Sequence, residues 1–218
     1  MQVILRIKRI RGWQNFAVQV SPDAYVLDAL EQAQRSDPSL LFRHSCHHSS
    51  CGSCGMRING DERLACATPV VDMVGRGHSI TLEPLRNLPV LGDLLVDPGP
   101  LFARVETSGL PLVRAAGAGQ GGRMAGVFED CIECGLCVSA CPVAATDSAF
   151  VGPAALAAAA RAARAEGASA QELRASAAGE HGLWRCHAAF ECTRVCPAQV
   201  DPSKAIMEWR ARLVRGEA

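Results

Sequence analysis

A chain of 218 residues with 22 basic and 22 acidic side chains carries no net charge, which removes any electrostatic case for nucleic-acid binding. The residues are 49% hydrophobic but only 5% aromatic, enough for two modest domains with thin cores. The longest uncharged apolar run, AFVGPAALAAAA at 149–160, is interrupted by Gly-Pro and falls short of a membrane span, so the chain is expected to be soluble on its own and to meet a membrane only through a partner.

MQVILRIKRIR has no apolar core of the kind a secretory signal needs. VILRIKRI (3–10) alternates apolar and basic residues as a half-buried strand does, and FAVQV (16–20) repeats the alternation after an expected turn at GWQN. In SPDAYVLDALEQAQ, Ser21 precedes Pro22, and Val26, Leu27 and Leu30 stand at helical spacing, which predicts a short helix on the sheet. GMRING (55–60) and HSITLEPL (78–85) supply further strands. Strand pair, helix, then a cysteine loop is the order of a β-grasp, the plant-type ferredoxin fold, expected over residues 1–105.

The loop of that domain, SCHHSSCGSCGMRINGDERLAC, spaces its cysteines C-x4-C-x2-C-x11-C. This is the plant-type 2Fe–2S spacing, and it assigns Cys46, Cys51, Cys54 and Cys66 to one cluster. Gly52 and Gly55 are read as letting backbone N–H groups approach the sulfurs. Two other metal readings are weaker. A zinc ribbon pairs two C-x2-C knuckles and only one is present here, while Rieske ligands alternate Cys and His, which His47 and His48 do not. The histidines are read as loop residues that tune the cluster by hydrogen bonding.

Residues 106–218 have a different texture. GAGQGGRMAG (117–126) is a Gly-rich loop without the strand or fingerprint of a nucleotide site. Ala-rich helices are expected at 154–167, 170–179 and 201–213, the last capped by Asp201 with Pro202 in its first turn. The fold class is therefore α+β, a β-grasp followed by an α-helical bacterial-ferredoxin-like domain. Its loops carry the other seven of eleven cysteines. An odd total in three groups argues against a disulfide framework and for metal ligation in a reducing compartment.

CIECGLCVSACP (131–142) is the bacterial ferredoxin run C-x2-C-x2-C-x3-C-P, whose fourth cysteine serves the other cluster of a pair. Cys131, Cys134 and Cys137 then take Cys196, the cysteine before Pro197, to complete a 4Fe–4S set. Cys141 crosses to Cys186 and Cys192. The position that would complete this last set is Ala189 in GLWRCHAAFECTRVCP, and three thiolates imply a 3Fe–4S cluster. The alternative is a four-iron cluster completed by His187, Glu191 or solvent. No nucleophile motif, carboxylate pair or flavin or nicotinamide fingerprint accompanies these cysteines, so no substrate chemistry is expected on this chain.

SDPSLLFRHSC, CGSCGMRINGDERLAC, CIECGLCVSACP, FVGPAAL and GLWRCHAAFECTRVCPAQVDPSKAI, in that order, resemble the segments of the iron–sulfur subunit of succinate dehydrogenase and fumarate reductase, respiratory complex II, over nearly the whole chain. The resemblance implies an FAD-containing flavoprotein partner, a membrane anchor with a quinone, and a peripheral place on the cytoplasmic face of the cell membrane. It implies electron flow from succinate through FAD and the 2Fe–2S, 4Fe–4S and 3Fe–4S clusters to the quinone, or the reverse toward fumarate. CHHSSC departs from the more usual Arg-Glu-Gly stretch. CPVAATDSAF lacks the tryptophan of many ubiquinone-linked members, a texture closer to fumarate reductases and menaquinone-linked enzymes. The family places quinone-site residues near His187 and Arg210; their ordinary readings are a loop histidine and a solvated helix charge. Trp184 and Trp209 are expected as apolar anchors, Trp184 shielding the three-iron site. Two other readings remain: a soluble fumarate reductase or related flavoprotein complex without a quinone site, and a zinc-stabilised binding module.

Overall fold

The computed structural model describes residues 1–75, 78–107, 131–162 and 177–216. They form two compact units: Met1–Pro98 joined by Ile132–Leu136, and the described parts of Gly99–Cys131 and Cys137–Ala218. The Gly-rich loop at 117–126 lies outside the described residues, as does most of the expected helix at 170–179.

The first unit is a five-stranded mixed sheet with the order β2-β1-β5-β3-β4. Strands β1 (Gln2–Arg9) and β2 (Gly12–Gln19) pair antiparallel around a turn at Ile10 and Arg11, so GWQN lies in β2 and not in the turn. The alternation read from the sequence holds: Val3, Leu5 and Ile7 of β1 are fully buried, as are Ile80 and Leu82 of β5 (Ser79–Glu83). Each such side chain contributes roughly 1.5–3 kcal/mol relative to exposure. β1 and β5 run parallel, and β3 (Gly55–Ile58) pairs antiparallel with both β5 and β4 (Asp61–Leu64). A second, small sheet pairs β6 (Val90–Gly92) with β7 (Leu95–Val96).

Helix α1 (Val26–Ser36) buries Val26, Leu27, Ala29, Leu30 and Ala33. It starts at Tyr25, later than Ser21 and Pro22 suggested. Asp28 Oδ2 accepts from the Tyr25 amide at 2.8 Å and so caps the first turn, while Ser21 and Asp23 form a turn ahead of it. A short helix, α2 (Val70–Met73), follows the 3-10 turn that carries Cys66. Sheet, α1 and cysteine loop make a β-grasp, as the sequence led us to expect.

The second unit is helical. α3 (Gly99–Thr107), α6 (Pro153–Ala162) and α8 (Pro202–Val214) pack on one another, with α6 in contact with both others. Short helices α4 (Leu136–Ala140), α5 (Pro142–Thr146) and α7 (Glu191–Arg194) carry the cysteine segments. α4 begins on Leu136, the last residue grouped with the first unit. In α6 every residue from Ala154 to Ala160 is buried, so this stretch is enclosed all round and not on one face alone, as small methyl side chains permit. α8 begins as the sequence predicts: Asp201 Oδ1 accepts from the Lys204 amide at 2.9 Å, with Pro202 in the first turn.

Candidate iron–sulfur sites

In the first unit the loop between α1 and β3 turns repeatedly through left-handed conformations, at His47 (φ 62°), Ser49 (φ 64°) and Gly52 (φ 67°). This folding aims successive amides at sulfur. The N–H groups of Ser50 and Cys51 each donate to Cys46 Sγ at 3.3 Å and that of His48 at 3.5 Å, while Ser49 N–H donates to Cys66 Sγ at 3.3 Å. The hydroxyl of Ser53 lies 3.0 Å from Cys51 Sγ. Such a concavity of N–H groups stabilises negative charge on sulfur. The His48 and Cys51 amides hold the Cys46 thiol down to about 6. Burial pushes the Cys54 thiol up to about 12, with Cys66 hydrogen-bonded beside it and the charge of Cys51 nearby. A buried thiol so disposed gives up its proton to a metal rather than to water. The donor set fits an iron–sulfur cluster.

The two glycines also make room for a neighbouring segment. A Cβ on Gly52 would stand 2.7 Å from the Ile132 carbonyl oxygen and 2.8 Å from Cys134 Cβ, and one on Gly55 would stand 3.1 Å from the Cys134 carbonyl oxygen. They clear space for the Ile132–Leu136 strap, which itself turns through positive φ at Glu133 (53°) and Gly135 (79°). Cys134 thereby lies against the first cysteine loop. Cys131, Cys137 and Cys196 belong to the second unit, and all four are partly buried.

Also in the second unit, Cys141, Cys186 and Cys192 line one small recess open to solvent, and Ala189 and His187 share its wall. The three thiols feel one another. Burial pushes Cys192 up to about 12, reinforced by the charges of Cys141 and Cys186, and burial likewise raises Cys141 beside Cys186. The segment between Cys186 and Cys192 is kinked at Ala188 (φ 53°) and Phe190 (φ 61°), and the Ala188 amide donates to Cys186 Sγ at 3.4 Å. Three thiols around a shared recess, Cys192 buried and Cys141 and Cys186 partly so, suit a metal cluster better than free cysteines.

Side chains that no motif flagged hold this wall in place. Asp147 accepts from Nδ1 of His181 and Nε of Arg185, each at 3.0 Å, and the His181 contact holds its carboxyl below the usual carboxylate range. Asp201 also receives the Thr193 and Ser203 hydroxyls, joining the Cys192 helix to the start of α8. Arg210 is not a solvated helix charge: its guanidinium donates to the Leu183 carbonyl from Nε at 2.8 Å and again from Nη2, and to the Cys186 carbonyl at 2.6 Å. It also stacks over the Trp184 ring, 5.5 Å from the centroid. Of the two expected apolar anchors, Trp209 is buried, but Trp184 is 51% exposed.

A β-grasp unit with three thiols on one loop and a fourth on the turn after β4, and a helical unit with further thiols, define an iron–sulfur electron carrier. Residues 4–103 match the 2Fe-2S iron-sulfur cluster binding domain, and residues 127–200 match the 4Fe-4S dicluster domain. The chain is 35% identical to the fumarate reductase iron-sulfur subunit of Mycobacterium tuberculosis, over 96% of its own length and 92% of that protein's. It is 31% identical to the succinate dehydrogenase iron-sulfur subunit of Coxiella burnetii, over 93% and 90%. A chain in the solved Mycobacterium smegmatis Sdh1 complex in the apo form superposes with a TM-score of 0.80 at 26% identity, covering 98% of this chain and 96% of that one. The protein belongs to the succinate dehydrogenase/fumarate reductase iron–sulfur subunit family.

Proposed function

We propose that this chain is the electron relay between a flavoprotein subunit carrying FAD and a quinone held by a membrane-anchor subunit. The proposed ligands are Cys46, Cys51, Cys54 and Cys66 for 2Fe–2S, Cys131, Cys134, Cys137 and Cys196 for 4Fe–4S, and Cys141, Cys186 and Cys192 for 3Fe–4S. When bound, these groups supply one-electron redox steps. The chain's own residues hold the thiolates, aim amide donors at sulfur and limit water around them.

The observation that carries this reading is the meeting of Cys141, Cys186 and Cys192 at one cavity whose wall presents Ala189. A fourth thiolate at that wall would favour a cubane, and a methyl group leaves three. His187 shares the cavity wall and is exposed, which suits a quinone-facing residue. Arg210 would act there through the Leu183–Cys186 segment that its guanidinium grips. Half-exposed Trp184 and Phe190 offer apolar surface to an anchor subunit. No helix among the described residues is long and apolar enough to cross a membrane, so a peripheral position through partners is the placement we infer. The missing tryptophan after Pro142 favours menaquinone over ubiquinone.

Anaerobic EPR with reductive titration of the purified complex tests the proposal. The expected record is an oxidised 3Fe–4S signal that disappears on mild reduction, then a 2Fe–2S signal, with about nine irons per chain. Two cubanes, or zinc without sulfide, would overturn it.

A further inference from the structure

Beside the first cysteine loop stands a group of side chains that the electron-relay role does not use. Glu31, on the second turn of α1, faces His44 and His47, which flank Cys46. Oε1 of Glu31 lies 3.5 Å from Nδ1 of His44 and 3.3 Å from Nε2 of His47, and the two ring nitrogens are 3.4 Å apart. The three donor atoms thus form a nearly equilateral triangle. A tetrahedral zinc ion with ligand distances of about 2.0–2.1 Å sets neighbouring donor atoms about 3.3–3.4 Å apart, within about 0.2 Å of each edge here.

The surroundings fix this arrangement from several sides. The His44 ring is stacked on Phe42 at 5.2 Å and 27°, which sets its plane. The His47 ring stands nearly perpendicular to it, at 85°, so the two imidazoles approach a common point from different directions. The left-handed turn at His47 (φ 62°), which also aims the loop amides at sulfur, carries its ring to this side. On the other carboxylate oxygen, Arg35 stands 4.0 Å away, which leaves Oε1 to the histidines. A hydrogen-bonded triad is the competing account. In it one neutral ring nitrogen would donate to the other beside the carboxylate, and retention of zinc separates the two accounts.

We infer that Glu31, His44 and His47 form a zinc site, with two nitrogens and one carboxylate oxygen from the protein and the fourth position open to water. The donor set is that of a borderline divalent ion and lacks the sulfur that iron–sulfur assembly requires. Its consequence is mechanical. The ion would clamp the cysteine loop at both sides of Cys46 to the helix that packs on the sheet.

The test uses the complex with its clusters in place, washed with chelator, given one equivalent of Zn²⁺ and desalted. The expected result is one zinc per chain, with a zinc-edge absorption spectrum showing nitrogen and oxygen neighbours only. Loss of a direct ligand exceeds the 10–100-fold typical of supporting residues, so Glu31→Ala and His44→Ala should each weaken zinc binding at least ~100-fold. Glu31→Ala removes a ligand from α1 without touching the cysteine loop, so its iron content should stay at the parent level. His78→Ala, a histidine elsewhere in the same unit, should bind zinc as the parent does. Equal zinc affinity in the parent and Glu31→Ala, no zinc retained by the parent, or sulfur among the zinc neighbours would each overturn the inference.

Discussion

Arg210 donates to the carbonyl oxygen of Cys186 at 2.6 Å, tying the final helix to the segment that presents a proposed three-iron ligand. The same guanidinium holds Leu183, so one side chain fixes both ends of the turn ahead of Cys186. Hydrogen bonds from a charged donor are each worth about 1.5–3 kcal/mol. Arg210→Ala should therefore shorten the lifetime in air of the oxidised 3Fe–4S EPR signal while the 2Fe–2S signal persists. Arg210→Lys should restore only part of that lifetime, because an ammonium cannot fork between two carbonyls. Equal lifetimes in all three proteins would remove Arg210 from this role.

Ala189 is the simplest position at which to alter the iron count. Its methyl group lines the cavity shared by Cys141, Cys186 and Cys192. Ala189→Cys should add about one iron per chain and abolish the oxidised three-iron signal. Iron analysis and EPR on the anaerobic protein decide it, and unchanged values would mean that residue 189 does not face the metal.

Gly52 cannot accept a side chain without moving the strap that lies against it. Alanine there would carry a left-handed backbone at a cost of about 1–3 kcal/mol and would press its Cβ onto Ile132 and Cys134. Gly52→Ala should lower iron occupancy at both the first and the second proposed clusters, whereas Gly60→Ala, with open space around its Cβ, should not. Iron content and the 2Fe–2S EPR intensity measure the difference.

Asp37 links the end of α1 to β1. Its carboxylate accepts from the Ser39 hydroxyl and amide and from Arg9 Nη1 at 3.0 Å, and these donors hold it down from 3.8 to about 2. A carboxyl whose pKa is lowered on folding stabilises the fold above its unfolded value and loses that contribution as pH falls through its folded value. The difference in urea midpoint between the parent and Asp37→Asn should thus be constant above pH ~4 and vanish between pH ~4 and ~2. A difference independent of pH would show that the carboxylate's charge is not what Arg9 and Ser39 hold.

Much of this architecture was legible in the residues. Alternation in β1 and β5 reported the buried face directly, and the Asp201-Pro202 pair marked the start of α8. The β3–β4 hairpin was legible but not read: Asn59-Gly60, both with positive φ, is the dipeptide of a tight two-residue turn, and it sends β4 back toward Cys66. The α1 start was misjudged because Pro22 resembles a first-turn proline, while the cap is made by Asp28 reaching back to Tyr25. Spacing grouped the cysteines, since local chain geometry limits which thiols can meet. Spacing could not reveal Arg210, Asp147 or the convergence of Glu31 with His44 and His47. Those partners lie far apart in the chain, and each looks like an ordinary surface charge until the fold joins them.

The strap Ile132–Leu136 makes the first unit discontinuous in sequence, with its last piece encoded more than thirty positions after Pro98. During synthesis the Gly52 and Gly55 backbone therefore stays uncovered until residue 136 has left the ribosome. A fragment ending at Pro98 would keep every strand and still lack the cover of its cysteine loop. A nascent chain can thus bring Cys46, Cys51, Cys54 and Cys66 together early, yet keeps their loop open to solvent until the strap has been made.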